Sequence, residues 1–175
     1  MSDATDILHD FVSRIRDGAA RLCDGLAEEH ATYQVNPGTN TICWLLWHSA
    51  REIDAQIHDA VGGAQLWEEW AGRLGLALPP ARLGAGATGF GQSPEDVIYV
   101  VAPVADLLGY LTDVCDEADA IIKGLGPEDL GRVIDPAWNP PVTLSVRIVS
   151  ILDDAVQHLG QAALVRGIAE RASAA

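Results

Sequence analysis

Apolar residues recur at helical spacing through four long stretches of this chain, and turn-forming residues separate them. The first stretch, about Asp3 to Glu29, carries Ile7, Phe11, Ile15, Leu22 and Leu26 on one face, with charge filling the other. The turn-rich connection Asn36-Pro37-Gly38-Thr39-Asn40 supplies an N-cap candidate, and a second predicted helix runs from about Thr41 to the Gly62-Gly63 stop. A third opens at Ser93-Pro94-Glu95-Asp96, where serine can cap, proline suits the first turn and the acids face the positive helix end; it reaches Lys123. Pro103 lies inside it and predicts a kink or a break, because proline lacks the backbone donor and clashes with the preceding turn. A fourth follows Pro140-Pro141 and runs from about Val142 to Ala172. Strict alternation is scarce and no window is bounded like a hairpin, so there is little from which to build a sheet. The predicted fold is all-α. Four amphipathic helices bury their stripes most simply as a four-helix bundle, with a long crossover between helices 2 and 3 from about Gly62 to Gln92 that holds Trp67 and Trp70 in a short helix.

At 175 residues and 49% hydrophobic, the chain is sized for one well-filled core, and residues 1–175 are read as a single bundle domain. Its formal charge of -14 opposes any electrostatic grip on nucleic acid or an anionic membrane. No run approaches the roughly 18 apolar residues of a membrane span. Small molecules, or a second copy of the chain in a homodimer, are the expected partners. Cys23, Cys43 and Cys115 are odd in number and widely spaced, which argues against a disulfide framework or a zinc knuckle and fits a reducing cytoplasm. The acidic start, Met1 to Asp6, has no basic-then-apolar signal pattern, so a cytoplasmic protein is expected.

The chemistry concentrates on the fourth helix. Asp154 and His158, four residues apart, stand one above the other on a stripe shared with Ile151, Ala155, Leu159 and Ala162, so both can reach one cation. A second imidazole, His48, lies in the apolar run Ile42-Cys43-Trp44-Leu45-Leu46-Trp47-His48, where a solvated histidine is out of place. If the two segments are neighbouring helices, His48, Asp154 and His158 make a two-histidine, one-carboxylate site. Spacing alone leaves a competing reading, a buried ion pair between Asp154 and His158, because either a cation or a hydrogen-bonded histidinium offsets the burial of a carboxylate.

The segment from Asn40 to Asp54, together with Asp154-x-x-x-His158-Leu159-Gly160-Gln161, resembles the DinB-like superfamily of metal-binding bundles. That superfamily includes mycothiol-dependent maleylpyruvate isomerases and bacillithiol-transferase-like proteins. The resemblance places the first histidine ligand on His48 and the last on His158; many members carry histidine where this chain has Asp154. It tips the balance toward a bound divalent metal, with zinc preferred over nickel or iron, and two imidazoles plus one carboxylate would leave open positions for water or substrate. It also implies a transferase or isomerase that activates a low-molecular-weight thiol. Mycothiol is the preferred thiol, since ten arginines against the single Lys123, with abundant alanine and glycine, suggest an actinobacterial kind of source. A metal-dependent hydrolase and a non-enzymatic ligand-binding or oligomerising bundle remain as alternatives.

Other conspicuous residues have mainly structural readings. Gln161, one turn beyond His158, is a candidate for contacting the cofactor or thiol, or else bonds a helix neighbour. Arg51 is a second such candidate for an anionic ligand, against an ion pair with Glu52 or another nearby acid. The run Gly84-Ala85-Gly86-Ala87-Thr88-Gly89 formally matches a dinucleotide fingerprint, but no strand precedes it and the position about 20 residues beyond Gly89 is Gly109, so a flexible loop is expected. Cys43 reads as a small buried hydrophobe. Of Trp44 and Trp47, one is expected in the core and the other at a pocket or interface, while Trp67, Trp70 and Trp138 either roof a cavity over the metal or pack under loops. His9, His30 and His58, in polar surroundings, are expected at the surface.

Overall fold

The structure is a computed structural model and describes residues 4–174. Four long helices form the bundle: α1 (Ala4–Cys23), α3 (Ile42–Val61), α5 (Val104–Lys123) and α7 (Leu144–Ser173). Shorter elements fill the connections: α2 (Glu28–Ala31), α4 (Trp67–Leu74) and α6 (Pro127–Leu130), 3-10 turns at Pro80–Arg82 and Pro94–Tyr99, and a strand pair, β1 (Val133–Asp135) and β2 (Val142–Thr143). α3 packs on α5 and α7, and α1 packs on the same two helices from the other side. The all-α expectation holds, and the long connection between the second and third long helices holds α4 as foreseen.

Several boundaries differ from the sequence reading for identifiable reasons. α1 ends at Cys23 because Gly25 adopts a φ of 64°, and the chain restarts as α2; Asp3, the expected first residue, lies outside the described residues. Ile15, Leu22 and Leu26 are buried as expected and Phe11 is partly buried, whereas Ile7 is exposed and Leu8 and Val12 carry the core contacts at the N-terminal end of α1. The expected third helix is two pieces. A 3-10 turn covers Pro94–Tyr99, and α5 begins after Pro103. The first free amide of α5, Val104 N–H, is satisfied by the Glu28 carboxylate at 3.1 Å. The antiparallel pair β1–β2 was not foreseen, since strands of three and two residues are too short for alternation to show.

α3 is the central helix. Every residue from Ile42 to Asp54 is buried, because α5, α7 and the crossover surround it. Thr41 caps it, accepting from Trp44 N–H at 3.1 Å, and Gly62 ends it at a φ of 88°. α7 is capped by Thr143 and, at 30 residues, extends about 45 Å along the bundle. Antiparallel or not, this length lets one helix carry both Arg147 beside the strand pair and His158 opposite the first turns of α3. No helix among the described residues is long and apolar enough to cross a membrane.

Candidate metal centre

His48 comes from the second turn of α3, and Asp154 and His158 from the middle of α7, one turn apart on the face that packs against α3. One ligand-type atom from each lies within 4.8 Å of the other two, and among the described residues no other histidine, cysteine or acid group converges this way. Asp154 Oδ2 is 3.5 Å from His158 Nε2 and 3.9 Å from His48 Nε2, and the two imidazoles meet edge-on with centroids 4.8 Å apart.

The hydrogen atoms on these rings are set from outside the cluster. His48 Nδ1 lies 2.6 Å from the Thr88 carbonyl, which can only accept, so the proton is on Nδ1 and the Nε2 lone pair points inward. His158 Nδ1 likewise donates to Gln161 Oε1 at 3.1 Å. Burial pushes the His48 imidazole below its ordinary pKa, which keeps the ring neutral at pH 7. Although the Asp154 side chain is 43% exposed, its Oδ2 is shut off from solvent and has no hydrogen-bond partner. The Nε2 atoms of the two rings and Asp154 Oδ2 thus face one another. Neither separation is a hydrogen bond; the ion pair envisaged from spacing is present as an i,i+4 contact at 3.5 Å between Asp154 and His158, with the Asp154 side chain half exposed rather than buried. Three such donors suit a divalent ion: tetrahedral bonds of about 2.0–2.1 Å set neighbouring ligand atoms about 3.4 Å apart, which the Asp154–His158 edge of 3.5 Å nearly meets, while the edges to His48 have to close further, from 3.9 Å and from at most 4.8 Å. The residues therefore fit the metal that the resemblance implies.

The wall around His48 is built by the crossover. Trp44 stacks on its ring at a centroid distance of 4.5 Å and also meets His158 edge-on. Gly89, at a φ of 98°, lies so close that a Cβ there would be 3.0 Å from His48 Nδ1 and 2.8 Å from Trp47. Trp44 and Trp47 are both buried, because α3 has no outward face at this level, and Trp47 is the one that also lines a pocket, a cavity of about 940 Å³. That cavity runs between α3 and the glycine-rich segment, with Glu52, Gln56, Arg147 and the exposed Trp138 among its walls. Trp67 and Trp70 are instead packed under the crossover, their N–H groups on Leu83 O and Asp113 Oδ2.

Gln161 bonds its helix neighbour His158, and Arg51 bonds a nearby acid, which is Asp54 rather than Glu52. Arg51 is completely buried, and its five N–H groups meet five acceptors: Asp54 Oδ2, Tyr110 Oη, Gln65 Oε1, Ala85 O and Ala87 O. Of the expected surface histidines, His9 and His30 are half-buried, and His58 is buried at 7% exposure, with Nδ1 on Asp54 O and its ring against Gly63, where the chain turns after α3. Residues the sequence reading left out also matter here: Thr88, whose carbonyl orients His48, and Asp54, which accepts from Leu66 N–H and Trp67 N–H. A backbone carbonyl leaves no trace in a sequence, whereas Arg51, Glu52 and Asp54 inside an otherwise apolar helix were a visible signal of a buried polar network.

The three cysteines are free and distant in role from the cluster. Burial pushes the Cys23 and Cys43 thiols up to about 11 and Cys115 to about 12. At pH 7.5 less than roughly one part in a thousand of each is then thiolate. Native protein treated with iodoacetamide is expected to leave Cys43 and Cys115 unmodified under conditions that label both fully in urea, as read by mass spectrometry. Complete native labelling of Cys43 would show a reactive thiol.

Comparison with known proteins agrees with the fold. Residues 7–170 match a family described as mycothiol-S-transferase. A solved structure, that of a conserved protein from Enterococcus faecalis, superimposes with a TM-score of 0.85 at 30% identity, covering 95% of this chain and 96% of that one. No curated protein matches.

Proposed function

The chain belongs to the mycothiol-S-transferase family, and from that premise we propose that it joins the sulfur of a low-molecular-weight thiol, mycothiol, to a small electrophile. His48, Asp154 and His158 hold a divalent cation, zinc in preference to nickel or iron. The observation that carries this reading is the solvent-shielded, unpartnered Asp154 Oδ2 facing two imidazole nitrogens. When bound, such an ion favours the deprotonated form of a thiol, which supplies a nucleophile near neutral pH without a protein cysteine.

The chain's own residues do the rest. His48 and His158 turn their Nε2 atoms toward Asp154 because Thr88 O and Gln161 Oε1 hold the protons on Nδ1. Trp44 and the Thr88-Gly89 backbone close the His48 side against water. The adjoining cavity, with Glu52, Gln56 and Arg147 in its walls, offers polar contacts to the body of the thiol or its acceptor. The same reading takes the chain as one bundle domain working on small molecules in a reducing cytoplasm, as a monomer or a homodimer.

The test is product formation. Zinc-loaded protein incubated with mycothiol and a panel of electrophiles is expected to yield the thioether, detected by mass spectrometry, with turnover at least about a hundredfold lower for His158→Ala. Absence of thiol-dependent product with one metal per chain would reject the proposal, and consumption of substrate at equal rates without thiol would favour hydrolysis.

A further inference from the structure

We propose that Arg51 is a positioning residue for the candidate metal centre, acting through the crossover: its guanidinium clamps the glycine-rich segment against α3 so that the Thr88 carbonyl meets His48 Nδ1 and fixes that ring's tautomer. The inference rests on the metal-centre reading above.

The chain of contacts is continuous. Arg51 Nη2 donates to Ala85 O at 2.6 Å and Nε donates to Ala87 O at 3.3 Å, so the guanidinium grips two carbonyls of the segment. The residue after Ala87 is Thr88, whose carbonyl accepts from His48 Nδ1 at 2.6 Å while its hydroxyl donates to Glu52 Oε1. Gly89 follows at a φ of 98° and comes close enough to Trp44, Trp47 and His48 that no Cβ would fit without displacing them. Arg51 is itself immobile. Asp54 and Tyr110 hold Nη1 from the core, Gln65 shares Nη2, and the guanidinium carbon stacks 4.8 Å over the Trp67 ring.

The chemistry explains why arginine is needed. The segment lacks regular secondary structure here, so its carbonyls have no amide partners in a helix or strand and a buried side-chain donor must supply them. Five donors in a rigid plane can serve a carboxylate, a phenol, an amide and two carbonyls at once. A lysine ammonium has three donors and no such fork. If the clamp is lost, Thr88 O is no longer held at His48, and a neutral imidazole free on both sides distributes its proton between Nδ1 and Nε2. A proton on Nε2 occupies the lone pair that faces Asp154 and His158, which weakens any cation bound there.

Metal-free protein gives a readout that does not depend on activity. The two ring nitrogens of His48 are to be assigned by long-range 1H–15N NMR in wild type, Arg51→Lys and the double variant Arg51→Met/Asp54→Asn, which removes the buried charge pair together. Zinc affinity is measured on the same proteins by competition with a chromophoric chelator. Wild type is expected to show only Nδ1–H. Both Arg51 variants are expected to show a mixture of tautomers and about 10- to 100-fold weaker zinc binding. Gly89→Ala should reproduce the mixture with the Arg51 contacts intact, because it lifts the segment from the other end.

An unchanged His48 tautomer in the folded Arg51 variants would overturn the proposal, as would a failure of both to fold, which would assign Arg51 to the core alone. A wild type that binds no zinc but shows the tautomer change in the variants would uphold the clamp and reject the metal reading. A wild type that binds zinc, with variants that match it in tautomer and affinity, would do the reverse.

Discussion

Replacing His48 by alanine is expected to reduce bound divalent metal from about one ion per chain to less than roughly a tenth, measured by elemental analysis of protein purified without chelator. The size of the effect follows from the donor set. With three protein ligands, losing one leaves a bidentate site on a single helix, Asp154 and His158, and a surface pair of that kind holds a metal only weakly. Even losing a partner that merely orients a ligand costs 10- to 100-fold in affinity, and removing a ligand itself costs more. His48 is the most buried of the three at 5% side-chain exposure, so water is poorly placed to substitute for it. His158→Ala should behave alike. Asp153→Ala is the control, because Asp153 points outward and bonds only Gln157. A wild type that carries no metal, or a His48→Ala protein that carries as much as wild type, would remove the cluster from consideration as a metal centre.

The pair on α7 and the ligand on α3 differ in how far the sequence discloses them, and the difference is physical. Asp154 and His158 obey a local rule, since residues four apart on a helix are neighbours whatever the tertiary fold. His48 stood out because an imidazole in an apolar run needs a partner, but only the resemblance placed it opposite α7. The contact that orients it was illegible: Thr88 acts through a backbone carbonyl, and the surrounding glycines signalled a loop without signalling what the loop touches. The same contrast runs through the fold. Helix periodicity disclosed all four long helices, yet Ile7 at the start of α1 was placed inward and His58 at the surface. The stretch Gln56-Ile57-His58-Asp59 is polar enough to look solvated, and nothing local reveals that His58 packs inward against Asp54 and Gly63.

Asp54→Ala is expected to be the most destabilising single substitution around this site, lowering stability by about 3–5 kcal/mol. Asp54 is wholly buried and accepts from Tyr110 Oη at 2.7 Å, Trp67 N–H at 2.9 Å, Leu66 N–H at 3.0 Å and Arg51 Nη1 at 3.1 Å. Alanine leaves the Arg51 cation uncompensated in the interior and frees two backbone amides at the start of α4, and the loss stays within that range because water can reach the amides through the space the carboxylate vacates. For a chain of this size the midpoint of thermal unfolding should fall by roughly 6–20 °C. Asp54→Asn keeps the shape and one acceptor oxygen but not the charge, so its loss should be distinctly smaller. Because α4 and the glycine-rich segment both hang on this network, amide exchange at Leu66 and Trp67 should accelerate in Asp54→Ala well before the bundle melts. The long helices do not depend on it, and their amides should stay protected at the temperature where the crossover opens. A loss below about 1 kcal/mol in urea denaturation would mean that the buried charge pair is open to water, and that the crossover is held by its tryptophans instead.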